Sequence, residues 1–208
     1  SRARRFGKTV AAQTIQAYYD NSCDSRALFA PYEIARDPSY EEHINKYDVI
    51  GLDVQSFFLL DDDPQAFIKR LETAVLEEVC NKWSDIDGLK DMRLVNALIK
   101  VHETTGTKFV FVIDEWDAVF RYYPKDDALQ KKWIHFLRDM FKQAAMNPCV
   151  ALVYMTGILP IKKYKTQSSL NQFFEYTMLR PLELEKYVGF LPAEVDALCE
   201  KFDMDRAE

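Results

Sequence analysis

Three nearly continuous apolar runs constrain the fold of this chain more than any other feature. They lie at residues 49–54, 109–113 and 150–155. A strand that is apolar on both faces needs helices on both sides of its sheet, so such runs are typical of buried parallel strands. Helical patterns fill the gaps between them. The alternation of strand and helix predicts an α/β fold with a mainly parallel sheet.

The helical patterns place apolar residues three or four positions apart, as a helix with one buried face requires. They lie at residues 9–19, 67–79, 94–99 and 129–141. Asp63 and Pro64 fit the cap and first turn of the second helix. Further along, the pattern predicts a fourth strand over residues 176–179 and two short helices over residues 182–188 and 193–202.

Composition and charge exclude several classes of protein. The chain has 208 residues and a formal net charge of -6, which disfavours a dedicated nucleic-acid-binding surface, although basic residues crowd its first eight positions. No apolar run approaches the roughly 20 residues of a membrane span, and there is no signal-peptide pattern. The four cysteines are far apart and predict neither a zinc site nor a disulfide framework. A reducing, cytoplasmic location fits these features best.

The start of the chain carries a phosphate-binding pattern. Gly7-Lys8-Thr9 ends a loop immediately before a predicted helix. In such a loop the backbone N–H groups turn toward a nucleotide's phosphates, the lysine reaches the outer phosphates and the hydroxyl reaches a bound Mg²⁺. The usual pattern, GxxxxGK[ST], begins with glycine where this chain has Arg2. Either the backbone enters the loop along a different path, or Arg2 contacts phosphate itself. Arg4 and Arg5 contact phosphate, an acidic partner segment or only solvent.

A second site element follows the central apolar run. Asp114 and Glu115 lie at the carboxyl end of a predicted strand, the edge at which open α/β sheets bind ligands. Asp114 is placed to hold Mg²⁺, directly or through water, and Glu115 is placed to take a proton from the water that attacks a γ-phosphate. The alternative is that both carboxylates only cap and solvate the strand end. Together with Gly7-Lys8-Thr9, the pair favours a nucleotide site.

Thr156 is a third candidate, at the tip of the next predicted strand. A polar residue at this place in a nucleotide-binding sheet senses the γ-phosphate or holds the attacking water. The alternative is a plain strand-end turn formed with Gly157.

Other polar patterns are interpreted without a ligand. Residues 45–48 read Asn-Lys-Tyr-Asp, like the guanine-reading NKxD pattern, but they precede the Asp-Glu strand instead of following it. They therefore predict a turn and a strand start. Three aspartates at residues 61–63 fit a helix N-terminus better than a metal site. The three histidines have no metal-ligand spacing.

In combination these residues resemble the bacterial AAA-ATPase-like family. Its members typically carry Arg-Pro-Arg-Arg-Phe-Gly-Lys-Ser/Thr, which residues 2–9 repeat with Ala3 in place of proline. The family replaces the first loop glycine by arginine, so Arg2 is a shared feature. The similarity continues through residues 23–29, 45–50, 52–53, 113–115, 156–161, 175–179 and 189–190.

The resemblance implies a P-loop NTPase-type three-layer sandwich, with an added strand between the phosphate-loop strand and the Asp-Glu strand. Residues 1–181 would form this core without its first strand, which would precede Ser1 and lie centrally in the sheet. Residues 182–208 would begin a small C-terminal helical or lid element. Family members usually continue into a nuclease-like domain.

The resemblance also implies ATP and Mg²⁺ as ligands. The nucleotide-binding loop would consist of Arg5, Phe6, Gly7, Lys8 and Thr9. The catalytic residues would be Glu115, Lys8 and Thr156, and the metal would be held by Thr9 and Asp114.

The chain is therefore expected to bind and hydrolyse ATP as a switch or motor module of a larger bacterial protein, whose flanking domains would contact nucleic acid or a protein. A nucleotide-gated scaffold with negligible turnover is the alternative. It is motivated by the non-standard loop and by the lack of a clear arginine finger, since the family does not generally keep arginine at Arg180. A structural domain with a vestigial site is the third hypothesis. The sequence sets no oligomeric state.

Overall fold

The central sheet has the parallel arrangement that the apolar runs predict. The computed structural model describes residues 7–59, 63–159, 170, 173–177, 184 and 192–204. Its strands are β1 (Asp48–Asp53), β2 (Phe109–Asp114) and β3 (Val150–Met155), which pair in parallel in the order β1-β2-β3. Each strand agrees with its predicted run to within about one residue at either end. The α/β class and the parallel sheet are thus confirmed.

Helices connect and cover the strands. Within the described residues they are α1 (Lys8–Tyr19), α2 (Arg26–Phe29), α3 (Tyr40–His43), α4 (Val54–Leu59), α5 (Phe67–Lys82), α6 (Leu94–Thr105), α7 (Ala118–Tyr122), α8 (Asp127–Phe141) and α9 (Pro192–Phe202). Short 3₁₀ turns lie at Glu33–Arg36, Pro64–Ala66, Leu89–Asp91 and Ala144–Cys149. The four long helices predicted from apolar spacing are α1, α5, α6 and α8, and the last predicted helix is α9.

Capping residues account for several helix boundaries. The Asp63 side chain accepts a 2.8 Å hydrogen bond from the backbone N of Gln65, at the 3₁₀ turn that leads into α5. Asp126 caps α8 in the same way and accepts a 2.9 Å bond from the backbone N of Leu129. Gly106 follows α6 with φ 74°, a left-handed conformation that a residue without Cβ adopts readily. These caps serve backbone groups that helix ends leave unpaired.

β2 is the most deeply buried strand, because it has a strand on each side and helices on both faces. Phe109, Phe111 and Ile113 contribute to a large apolar cluster with side chains of α5, α6 and α8. Val110 and Val112 pack on the opposite face with Ala12 of α1. Each fully buried side chain of this size contributes about 1.5–3 kcal/mol to stability. This packing holds α1 against the strand that ends in Asp114.

Some predicted features lie outside the described residues. They are the loop residues before Gly7, Arg180, the predicted helix over residues 182–188 except residue 184, and the last two residues of the predicted strand over residues 176–179. Among the described residues, no helix combines the length and apolar character needed to cross a membrane.

Candidate functional site

α1 brings two of the predicted phosphate-loop residues to the carboxyl edge of the sheet. Gly7 precedes the helix with φ 68° and ψ 17°, a left-handed conformation that strains residues with a Cβ. Its carbonyl accepts a 2.8 Å hydrogen bond from the backbone N of Ala11 and so begins the helix. The first turn then presents Lys8 and Thr9, of which Thr9 is exposed. The helix N-terminus directs partial positive charge toward the same edge.

β2 ends in the first predicted carboxylate. Asp114 is the last residue of the strand and is buried. Its Oδ1 accepts a 3.0 Å hydrogen bond from the backbone N of Glu115 and a 2.6 Å hydrogen bond from the Thr156 hydroxyl. A buried carboxylate held in this way has a fixed orientation, as ligands of metals commonly have.

Glu115 lies between two cationic side chains. Its φ of 52° is uncommon for a residue with a Cβ, and such strained conformations cluster at functional sites. The Lys8 Nζ lies 3.6 Å from Oε1, and the Arg121 guanidinium pairs with Oε2. The side chains of Lys8, Glu115 and Arg121 are 8%, 18% and 14% exposed, so solvent screens these ion pairs only in part. The structure thus brings together Lys8 and Glu115, which the sequence assigned to one site.

A buried aspartate and an arginine complete the cluster, and the sequence analysis identified neither. Asp117 is fully buried, and its Oδ2 accepts hydrogen bonds of 3.1 Å and 2.8 Å from the backbone N atoms of Ile158 and Leu159. The Arg121 Nε lies 3.4 Å from the same oxygen. Asp117 is the N-cap residue of α7, and Arg121 lies four residues further along the same helix. This spacing places two side chains on one helix face. That spacing, immediately after Asp-Glu, is the signal that could have identified them.

Thr156 is built into the junction between β2 and β3. Its backbone N donates a 2.8 Å hydrogen bond to the carbonyl of Ile113, and its carbonyl accepts a 3.0 Å bond from the backbone N of Trp116. With its hydroxyl bonded to Asp114, the residue is 5% exposed. The hydroxyl therefore orients a carboxylate in this structure. Its predicted role toward a γ-phosphate or a water stays a prediction.

Gly157 lets the segment after β3 approach the residues between β2 and α7 closely. A Cβ at this position would lie 2.7 Å from two ring atoms of Trp116 and 2.8 Å from Asp117 Oδ1. Such distances are too short for unbonded heavy atoms, so a side chain here would displace its neighbours.

The donors at this edge fit Mg²⁺. The cation prefers oxygen ligands and is usually held by one or two carboxylates together with substrate phosphates and water. Asp114 supplies an oriented carboxylate, and Thr9 supplies an exposed hydroxyl at the start of α1. Within the described ranges, no group of three or more His, Cys, Asp or Glu side chains is arranged to hold a metal.

Other candidate residues lie elsewhere or outside the described part of the chain. Arg5 and Phe6 are outside it. Asp48 begins β1, at the opposite edge of the sheet from Asp114, and pairs with Lys82. Asn45 has φ 54°, and its amide donates a 2.7 Å hydrogen bond to the carbonyl of Asp20. The Asn-Lys-Tyr-Asp segment is a turn and a strand start, as predicted.

The cysteines take no part in the site. All four are free thiols, and two of them, Cys80 and Cys149, are buried. Burial raises the pKa of the Cys149 thiol, which disfavours its reactive thiolate form.

Comparison with known families identifies the chain. A family model described as Predicted AAA-ATPase matches residues 1–166, so the chain belongs to this AAA-ATPase-like family. No curated protein and no solved structure matches it.

Proposed function

We propose, from membership of the AAA-ATPase-like family and from the side chains at the carboxyl edge of the sheet, that this chain binds ATP with Mg²⁺ and hydrolyses it. One observation carries the proposal. The first residue of α1, Lys8, lies 3.6 Å from Glu115, which follows β2, although the two are distant in sequence. This contact joins a phosphate-binding lysine to an acidic residue beside an oriented aspartate.

Phosphate binding is assigned to the loop that leads into α1. The left-handed Gly7 and the N-terminus of α1 favour an anion at this edge. The Lys8 ammonium contacts the outer phosphates, and the loop also includes Arg5, Phe6 and Thr9. Since Lys8 already lies beside a carboxylate, its ammonium is close to where a phosphate oxygen would replace that carboxylate.

The metal is assigned to two oxygen donors. Asp114 and Thr9 would hold Mg²⁺, which neutralises charge on the phosphates when it is bound. Thr156 keeps Asp114 oriented through its 2.6 Å hydrogen bond.

Glu115 is assigned as the general base. It accepts a proton from water at one carboxylate oxygen as the water oxygen bonds to the γ-phosphorus. The bond from that phosphorus to the bridging oxygen breaks, and its electron pair leaves with ADP. A positioned base contributes about 10²- to 10⁴-fold to a rate of this kind.

The wider context is also a proposal. Residues 1–181 would form a P-loop NTPase-type three-layer core and residues 182–208 the start of a C-terminal helical element. The chain would work in the cytoplasm as a switch or motor module of a larger bacterial protein. Nucleic acid or a protein partner would bind through flanking domains.

Nucleotide-dependent stabilisation tests this function. Mg-ATP at about one hundred times its dissociation constant should stabilise the fold by about 2.7 kcal/mol, and this corresponds to a rise in Tm of roughly 5–10 °C. Inorganic phosphate should be released in parallel. An unchanged Tm at millimolar Mg-ATP would contradict the proposal.

A second candidate function is a nucleotide-gated binding module with negligible turnover. It is favoured by the ion pairs of Glu115, because Lys8 and Arg121 engage both of its carboxylate oxygens. Tight Mg-ATP binding without phosphate release, with and without DNA, would favour this function over hydrolysis.

A further inference from the structure

The two oxygens of Glu115 contact cations that differ in how they are anchored. Lys8 approaches Oε1 from the start of α1, where the proposed phosphate site lies. Arg121 pairs with Oε2 from α7, a different helix that follows β2. A ligand at the phosphate site therefore competes directly for only one of the two cations.

Arg121 is held in place independently of Glu115. Its Nε lies 3.4 Å from Oδ2 of the fully buried Asp117. That oxygen accepts hydrogen bonds of 3.1 Å and 2.8 Å from the backbone N atoms of Ile158 and Leu159. A planar guanidinium can face two carboxylates at once, and that of Arg121 pairs with Glu115 and lies within ion-pair distance of Asp117. Arg121 thus links the residue after β2 to the segment after β3.

We propose that Arg121 is the positioning residue for the general base. It keeps Oε2 of Glu115 bound while Lys8 moves from Oε1 to the phosphates of ATP, so Oε1 becomes the atom that accepts the proton from water. This inference rests on the proposed function. It assigns different tasks to the two oxygens of one carboxylate.

The reason for such a residue is the flexibility of glutamate. Holding a glutamate side chain in one rotamer costs up to about 1.5–2 kcal/mol of conformational entropy. An unrestrained Glu115 side chain therefore spends most of its time in orientations that do not face the water. Once Lys8 has moved to phosphate, the pair with Arg121 is the one that still restrains the Glu115 carboxylate among the ion pairs of the described residues. Without that bond, ATP still binds, but the base is seldom aligned with the water.

Steady-state kinetics of Arg121 variants test the inference. Arg121→Gln should lower kcat about tenfold to a hundredfold, the effect of losing one hydrogen bond to a charged group, and leave KM nearly unchanged. Arg121→Lys keeps a positive charge beside the buried Asp117 and should remain folded even if the glutamine variant does not. Its kcat should lie between those of Arg121→Gln and the unmodified chain, because an ammonium lacks the fork that binds two carboxylates. Arg36→Gln, which alters an exposed arginine, is the matched control and should leave kcat and KM unchanged.

A double-mutant cycle separates positioning from a general structural effect. In the background of Glu115→Gln, adding Arg121→Gln should produce no further loss of kcat, because the base that it positions is already absent. Equal losses of kcat in both backgrounds would overturn the inference, as would an unchanged kcat in both Arg121 variants. Phosphate release that depends on Glu115 but not on Arg121 contradicts the inference alone. Absence of phosphate release from the unmodified chain contradicts the proposed function and the inference together.

Discussion

The Thr156 hydroxyl donates a 2.6 Å hydrogen bond to Asp114 Oδ1, so a residue at the tip of β3 orients the carboxylate at the end of β2. Both residues are buried, and the bond joins the ends of two neighbouring strands. The metal site proposed above depends on this orientation of Asp114, next to Glu115.

Replacing Thr156 by valine tests the importance of this bond. Thr156→Val keeps the shape of the side chain but removes the donor, so we expect a loss of about 1–3 kcal/mol in the free energy of unfolding. Urea denaturation measures the loss. Thr156→Ser keeps the donor and should be clearly more stable than Thr156→Val. Equal stability of the two variants would mean that the bond does not orient Asp114.

Gly157→Ala should destabilise the chain by about 1–3 kcal/mol through overpacking, because its Cβ would press on Trp116 and Asp117. Gly51→Ala is the matched control. Its Cβ would meet only the flexible end of Gln16, which can move away, so its effect should stay within about 0.5 kcal/mol. Thermal or urea unfolding compares the two. The packing account fails if Gly51→Ala is the more damaging change.

Lys8→Ala should weaken Mg-ATP binding about tenfold to a hundredfold, because the ammonium no longer contacts the phosphates. A fluorescent ATP analogue measures the dissociation constant by titration. Lys46→Ala removes an exposed lysine at the other edge of the sheet and should bind as the unmodified chain does. If both variants or neither variant lost affinity for Mg-ATP, Lys8 would not be a phosphate-binding residue.

Glu72→Gln should make stability less dependent on pH. Burial raises the pKa of Glu72, with a smaller contribution from Asp139, while Arg93 opposes the rise. A carboxyl whose folded pKa is raised destabilises the fold above that pKa, where it is charged, and has no effect below its unfolded pKa, where both states bind the proton. Glu72→Gln should therefore raise Tm at neutral pH, by an amount that shrinks as the pH falls below the raised folded pKa and is gone below about 4. A gain in Tm that grows toward acid pH would have the wrong sign.

The sequence predicted the sheet because each strand is marked by its own local composition. The run Phe109–Asp114 is apolar at five consecutive positions, so helices were expected on both faces, and α1 and α5 cover them. The position of Asp114 and Glu115 at the carboxyl end of β2 was also predictable from the sequence, because they directly follow the apolar run. The carboxyl ends of parallel strands meet at one edge of a sheet, where ligands bind.

The contacts of the site could not be predicted, because they depend on how distant side chains are directed. The hydrogen bond from the Thr156 hydroxyl to Asp114 is not visible in the sequence, and the predicted role of Thr156 toward a phosphate or a water stays a prediction. The spacing of Asp117 and Arg121 could have indicated that they share a helix face, but only the folded chain shows the pair between Arg121 and Glu115.

Single-turnover hydrolysis by Glu115→Gln tests the central claim most directly. The variant keeps the size of the side chain but cannot accept the proton, so it should bind Mg-ATP as tightly as the unmodified chain and cleave it about 10²- to 10⁴-fold more slowly. Glu77→Gln, which alters an exposed glutamate of α5, controls for loss of one negative charge. Binding without cleavage in Glu115→Gln alone is the predicted result. Cleavage by Glu115→Gln at the rate of the unmodified chain would contradict the account.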